Sequence, residues 1–170
     1  MKTGKSIKSV WQVLLIVSLV VIPANFYATA LPQSPPNIGV NGYVSGQNVR
    51  RGRSAPAVVE MNIPAGYHVN SNRPLEKFLI PTKLEVDAPD GIRVSAVSYP
   101  RALLRKLKFS KTRVAVYEGR ALMRFNVTVP ANFGSDYTEL KARLKYQSCD
   151  DEVCFPPQTR EISIPIRVGK

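Results

Sequence analysis

Two runs of apolar–polar alternation flank a short acidic loop that holds both cysteines of the chain, and this block restricts the fold more than any other. From Thr138 to Tyr146, Leu140, Ala142, Leu144 and Tyr146 share one face; downstream, Ile162, Ile164, Ile166 and Val168 do the same. Period-two alternation on both sides of a polar loop predicts two paired strands joined by a hairpin or sharp corner. With Asp150 to Val153 as the loop, Cys149 and Cys154 become cross-strand neighbours. Directly opposed residues lie about 4.5–5.5 Å apart between Cα atoms, within the reach of a disulfide.

The spacing leaves two uses of that pair open. As a staple, a loop of about six residues gives only about 2 kcal/mol from closure entropy, and a chain of 170 residues can build its own core without it. As a redox pair, it would sit at a rim where a partner can reach it. Asp150, Asp151 and Glu152 lie between the sulfurs, with no Lys, Arg or His in the loop. Neighbouring carboxylates disfavour thiolate, and a protonated thiol attacks poorly. The local charge therefore suits a pair that waits as a disulfide to be attacked, or as a dithiol until a partner changes its surroundings, rather than one that initiates exchange.

Lys2, Lys5 and Lys8 precede an apolar run from Val10 to Ile22, followed by Ala28-Thr29-Ala30. A basic start, a short apolar run and a small-x-small ending predict a secretory signal over residues 1–30, cleaved after Ala30; an uncleaved membrane anchor is the lesser alternative, because the run is shorter than the roughly 20 residues of a spanning helix. In an oxidising compartment two cysteines close into a disulfide unless something keeps them reduced. After residue 30 lie 21 of the 24 basic residues and all 12 acidic ones, a net charge of +9. This reads as a soluble basic surface, or one drawn to an acidic partner. An exported chain with no aromatic–basic stacking pattern gives no sign of nucleic-acid binding.

Residues 31–55, rich in Pro, Gly, Ser and Asn, are expected to form a flexible leader, with a single domain over 56–170. Within it, Val58 to Ile63, Tyr67 to Asn70, Lys83 to Val86, Ile92 to Tyr99, Val114 to Glu118 and Ala121 to Val129 read as strands, and Arg101 to Lys108 as a basic loop. About eight strands, closely spaced turns and no long helical period predict an all-β, immunoglobulin-like antiparallel β-sandwich.

Three segments resemble the amino-terminal domain of the thiol:disulfide interchange protein DsbD: Gly66-Tyr67-His68-Val69-Asn70-Ser71-Asn72 with Leu79-Ile80-Pro81-Thr82; Ala115-Val116-Tyr117-Glu118-Gly119; and Tyr146-Gln147-Ser148-Cys149 with Cys154-Phe155-Pro156-Pro157. The resemblance implies a periplasmic immunoglobulin-like domain whose cysteine pair relays electrons between thioredoxin-like redox proteins. It maps the redox pair onto Cys149 and Cys154, with the second cysteine as the one that attacks or is attacked. It puts a shielding cap near Arg101–Lys111, where Phe109 supplies the aromatic among basic neighbours, and a facing strand at Tyr67, His68 and Asn70. Full-length members continue into membrane helices and a thioredoxin-like domain; this chain has neither, so a membrane electron donor is expected on a separate chain. The family's spacing between the cysteines is often five residues; here it is four.

The candidate site is therefore Cys149 and Cys154, with His68, Asn70, Tyr67, Phe109, Tyr146 and Phe155 as candidates for shielding or proton relay. A lone histidine is more often a hydrogen-bonded structural residue, and Tyr146 and Phe155 more often pack a core or rim. The competing function is a non-catalytic interaction domain with a purely structural disulfide. Metal carriage by Cys149, Cys154 and His68 ranks last, because an oxidising compartment and an acidic loop both oppose free thiolates. No cofactor is implied. Hydrolase, phosphate-loop and zinc-protease motifs are missing.

Overall fold

The computed structural model describes residues 34–46, 48–89 and 91–170; the expected signal at 1–30 lies outside them. The described residues form twelve strands and no helix: β1 (Gly39–Val44), β2 (Val49–Arg50), β3 (Ser54–Asn62), β4 (His68–Asn70), β5 (Lys83–Asp87), β6 (Arg93–Val94), β7 (Leu103–Arg105), β8 (Val114–Tyr117), β9 (Arg120–Thr128), β10 (Tyr137–Tyr146), β11 (Ser148–Cys149) and β12 (Gln158–Gly169). They pair into three four-stranded sheets, in the orders β1-β3-β9-β6, β2-β12-β10-β5 and β11-β4-β8-β7. All pairings are antiparallel except the short contact of β2 with the end of β12. The fold is the all-β, immunoglobulin-like arrangement expected from the strand pattern.

Alternation decides which face is buried. On β3 and β9, Ala57, Val59 and Met61 face Phe125, Met123 and Ala121 across the ladder, and all six are buried. On β10 and β12, Leu140 and Ala142 pair with Ile164 and Ile162 and are buried with Leu144, Tyr146, Ile166 and Val168. These inner faces meet in one core cluster, the arrangement by which two sheets remove their apolar sides from water. The sheets approach closely at Gly42 of β1, where a Cβ would stand 2.6 Å from Ile164 Cγ1 and 2.8 Å from Ile162 Cγ2. Only glycine fits there. Gly119, at φ +58°, makes the turn between β8 and β9, and its carbonyl accepts the amide of Ile63.

The third sheet has a core on each side. Val69 and Tyr117, opposed on β4 and β8, face the main core. Val114 and Val116 face the other way, into a second cluster with Leu79 and Leu107. The loops 71–82 and 106–112 cover that second face, and the cysteines lie on it.

Three expectations need correction. The stretch at 31–55 is not a flexible leader over most of its length: β1 pairs along β3 for six residues, and Ile38 and Val49 are buried in the main core. The polar residues of β1 are tolerated because it is an edge strand with one face to solvent. Arg51 fastens the next turn, donating to the carbonyls of Phe133 (2.8 Å), Gly169 (3.1 Å) and Ser135 (3.1 Å) and pairing with Asp136 at 2.6 Å. The basic run at 101–108, expected to be a loop, contains β7, which hydrogen-bonds along the edge of β8. An available sheet edge there overrides a weak local preference. Ile92 to Tyr99, expected as one strand, is only β6 and an isolated bridge from Ser98 to Arg124.

Candidate redox site

The main hairpin ends where Tyr146 pairs with Gln158. The intervening chain then leaves that sheet: β11 pairs with β4 instead, placing Ser148 opposite Val69 and Cys149 opposite His68. Beyond β11 the chain folds back on itself. Asp150 N donates to Val153 O (2.9 Å) and Phe155 N to Ser148 O (2.8 Å). The Asp150 carboxylate accepts from the amides of Glu152 and Val153, both at 2.8 Å, the local capping that lets aspartate initiate a tight turn. Cys149 and Cys154 thus face each other across a small hairpin, as the spacing predicted, and are joined as a disulfide with Cα atoms 3.9 Å apart.

The two sulfurs are not equally accessible. Cys149 is 0% exposed, whereas Cys154 is half-buried and packs against the second apolar cluster beside Phe109. Phe109 lies in the loop after β7. That loop is held over the hairpin by Lys108, whose amide donates to Asp151 O (2.9 Å) and whose ammonium pairs with Glu152. The Glu152 carboxylate raises the Lys108 ammonium above its ordinary value. Glu76 reaches the same cap from the other loop, accepting from the Thr112 hydroxyl.

His68 is buried between two carboxylates. Its Nδ1 lies 2.9 Å from Glu118 Oε1 and its Nε2 lies 3.2 Å from Asp151 Oδ1. Carboxylates only accept, so both contacts are hydrogen bonds when the ring carries both protons. The Arg105 guanidinium, bound in a fork at 2.7 and 2.8 Å, and then the His68 ring hold the Glu118 carboxyl below its usual range, against partial burial that pushes it up. A hydrogen-bonded chain Arg105–Glu118–His68–Asp151 runs from the edge strand to the residue two beyond Cys149.

Asn70 is fully buried on the same face, one strand repeat from His68, with its amide oxygen 3.9 Å from Cys149 Sγ. Tyr67 and Phe155 form a tilted ring pair, with centroids 6.2 Å apart, at the exit of the loop. Tyr146 does not join this group: alternation turns its ring into the main core, and its hydroxyl donates to Gln158 Oε1 at 2.9 Å. Sequence reasoning missed Gln147, Glu118, Arg105 and Lys108, although the first two lie inside the quoted motifs. In the closed disulfide both sulfurs are bonded to each other, and both His68 ring nitrogens face carboxylates.

The family described as "Thiol:disulfide interchange protein DsbD, N-terminal" matches residues 44–165, most of the chain. This chain belongs to that family. The family's interchange chemistry and its cysteine pair agree with the disulfide at the sheet edge. Among solved structures, the reduced DsbD amino-terminal domain of Neisseria meningitidis is 20% identical, covering 75% of this chain and 85% of that one, with a TM-score of 0.47. The complex of the Neisseria meningitidis DsbD and PilB amino-terminal domains is 19% identical, covering 79% and 88%, with a TM-score of 0.48. The amino-terminal periplasmic domain of ScsB from Proteus mirabilis is 11% identical, covering 76% of this chain and 45% of that one, with a TM-score of 0.47. No curated protein matches.

Proposed function

We propose that this protein is an exported thiol–disulfide exchange module that relays electrons through Cys149 and Cys154, with Cys154 as the sulfur a partner attacks. The observation that carries this reading is the asymmetry of the pair: one cysteine fully buried, the other only partly buried, packed on the same small cluster as Phe109. Exchange needs an in-line approach to one sulfur, and only Cys154 offers one. A partner thiolate attacks Cys154 Sγ, a mixed disulfide forms, and the electron pair of the broken bond passes to Cys149, which takes up a proton. A second thiol of the partner then attacks the mixed disulfide, releasing an oxidised partner and a reduced pair. The reduced pair hands its electrons on by the reverse sequence.

The partners that suit this chemistry are thioredoxin-like redox proteins of the periplasm, with a membrane electron donor on a separate chain. Residues 1–30 would direct export, and the sandwich domain runs to residue 170. Among the side chains near the pair, Phe109 shields Cys154, the Tyr67–Phe155 ring pair stiffens the loop exit, and His68 ties the loop to the sheet.

The test uses a thioredoxin-like reductant whose resolving cysteine is replaced by serine. A Cys149→Ala variant, first activated as a mixed disulfide with glutathione, should accumulate a stable cross-linked complex, while Cys154→Ala treated the same way should not. Equal trapping by both variants, or by neither, overturns the assignment.

A further inference from the structure

Two carboxamides beside the disulfide, the buried Asn70 and the half-buried Gln147, are oriented by backbone groups that allow only one arrangement. The Ile80 amide, which can only donate, gives its hydrogen to Gln147 Oε1 at 3.0 Å. The Phe155 carbonyl, which can only accept, receives from Gln147 Nε2 at 3.1 Å. Gln147 is therefore fixed with its oxygen towards Asn70. Asn70 Nδ2 donates to that oxygen at 3.0 Å and to the Ile80 carbonyl at 3.2 Å. Both partners are acceptors, so the nitrogen must face them. The Asn70 oxygen is left aimed at Cys149 Sγ, 3.9 Å away, with both residues 0% exposed.

In the closed disulfide that sulfur has no hydrogen, and the contact is oxygen against sulfur. We propose that Asn70, held by Gln147, is a positioning residue for the exchange: its amide oxygen accepts the S–H of Cys149 once the bond to Cys154 opens. The buried sulfur then leaves as a thiol rather than a thiolate. This rests on the relay reading and adds a proton to it. As the partner thiolate bonds to Cys154 Sγ, the electron pair of the old bond goes to Cys149 Sγ, and one proton from water is taken up there. A thiolate buried from water and facing an oxygen lone pair has no solvation and no donor in that direction.

The charged groups around the pair are already engaged with one another. His68 lies between Glu118 and Asp151, Arg105 is on Glu118, Lys108 is on Glu152, and the Asp150 carboxylate takes two loop amides. The Lys106 ammonium is turned to the carbonyls of Ser110 and Lys111. Asn70 is the hydrogen-bond partner this arrangement provides for Cys149.

Two measurements test this. In the unmodified protein equilibrated with glutathione, reduction that yields two thiols consumes the same protons as glutathione releases. The equilibrium constant should then stay constant between about pH 6 and 8, whereas a Cys149 thiolate would change it about tenfold per pH unit. In a Cys154→Ala background, Cys149 is the only thiol, and Gln147→Leu removes the shorter of the two contacts on the Asn70 nitrogen, leaving only the Ile80 carbonyl to oppose its turning to the sulfur. The thiolate fraction at the ordinary cysteine value of about 8.5 should then rise at least about threefold. A tenfold-per-unit slope in the unmodified protein overturns the proposal, and so does an unchanged thiolate fraction in folded Gln147→Leu. If that variant fails to fold by circular dichroism, the glutathione series decides alone. Failure to trap a mixed disulfide would remove the relay but leave both of these results intact.

Discussion

Reducing the disulfide should leave this domain folded, and the structure sets the cost. The bridge closes a loop of about six residues, with Cys149 and Cys154 five apart in sequence. Loop-closure entropy for that length is about 2 kcal/mol. The rest of the hairpin does not depend on the bridge. Asp150 N to Val153 O, Phe155 N to Ser148 O and Lys108 N to Asp151 O remain as hydrogen bonds when the sulfurs part, and β11 stays paired with β4. The main core, spread over β3, β9, β10 and β12, does not include the sulfurs. Urea unfolding of the oxidised and dithiothreitol-reduced protein, followed by circular dichroism because the single tryptophan, Trp11, precedes the domain, measures the difference. With a urea slope of roughly 1–3 kcal/mol per M, the midpoint should fall by about 1 M. A reduced protein that is unfolded in buffer, or a loss more than about twice that size, would refute the reasoning and make the bridge a staple.

Phe109→Ala should speed reduction of the disulfide by a small thiol several-fold without changing the fold, because it uncovers Cys154; an unchanged rate in a stopped-flow assay would show that Phe109 is no shield. Gly42→Val should cost about 1–3 kcal/mol or more, since its Cβ would collide with Ile162 and Ile164; a melting temperature equal to the parent's would mean the sheets are not in contact there. Glu118 supplies a pH test. Its carboxyl sits below the usual value in the fold, chiefly through Arg105, so the folded state favours the charged form. That contribution is complete above the ordinary glutamate value of about 4.3 and is lost as pH falls through the lowered one. Glu118→Gln should be less stable near neutrality by up to about 1 kcal/mol and show a flatter decline between pH 5 and 3; parallel curves for parent and variant would argue that the Arg105–Glu118–His68 chain stores nothing.

The strands that build the core were legible because burial of one face writes itself into the chain with period two. Leu140 to Tyr146 and Ile162 to Val168 could be placed as paired strands from spacing alone, but the chain leaves their sheet after Tyr146 and Gln158, so the cysteine hairpin is a separate one whose pairing does not continue their register. β1 was not legible: Gly39-Val40-Asn41-Gly42 carries little apolar signal, and its place comes from an edge of β3 that needed pairing and a gap above Ile164 too narrow for any side chain. β7 was hidden for the same reason, its three residues all being exposed.

The chemistry of the loop divides in the same way. The sequence by itself determined that Cys149 and Cys154 would meet across a tight turn and that three carboxylates would lie between them, because both follow from neighbours along the chain. Only the tertiary structure decided what those carboxylates meet. Asp151 receives His68 from β4 and Glu152 receives Lys108 from the cap, so charges that look unopposed in the sequence are opposed in space. The direction of the Asn70 and Gln147 amides was likewise settled by Ile80 and Phe155, residues far apart in the chain. Hydrogen-bond direction and charge pairing are properties of groups brought together by packing, and no local pattern encodes them.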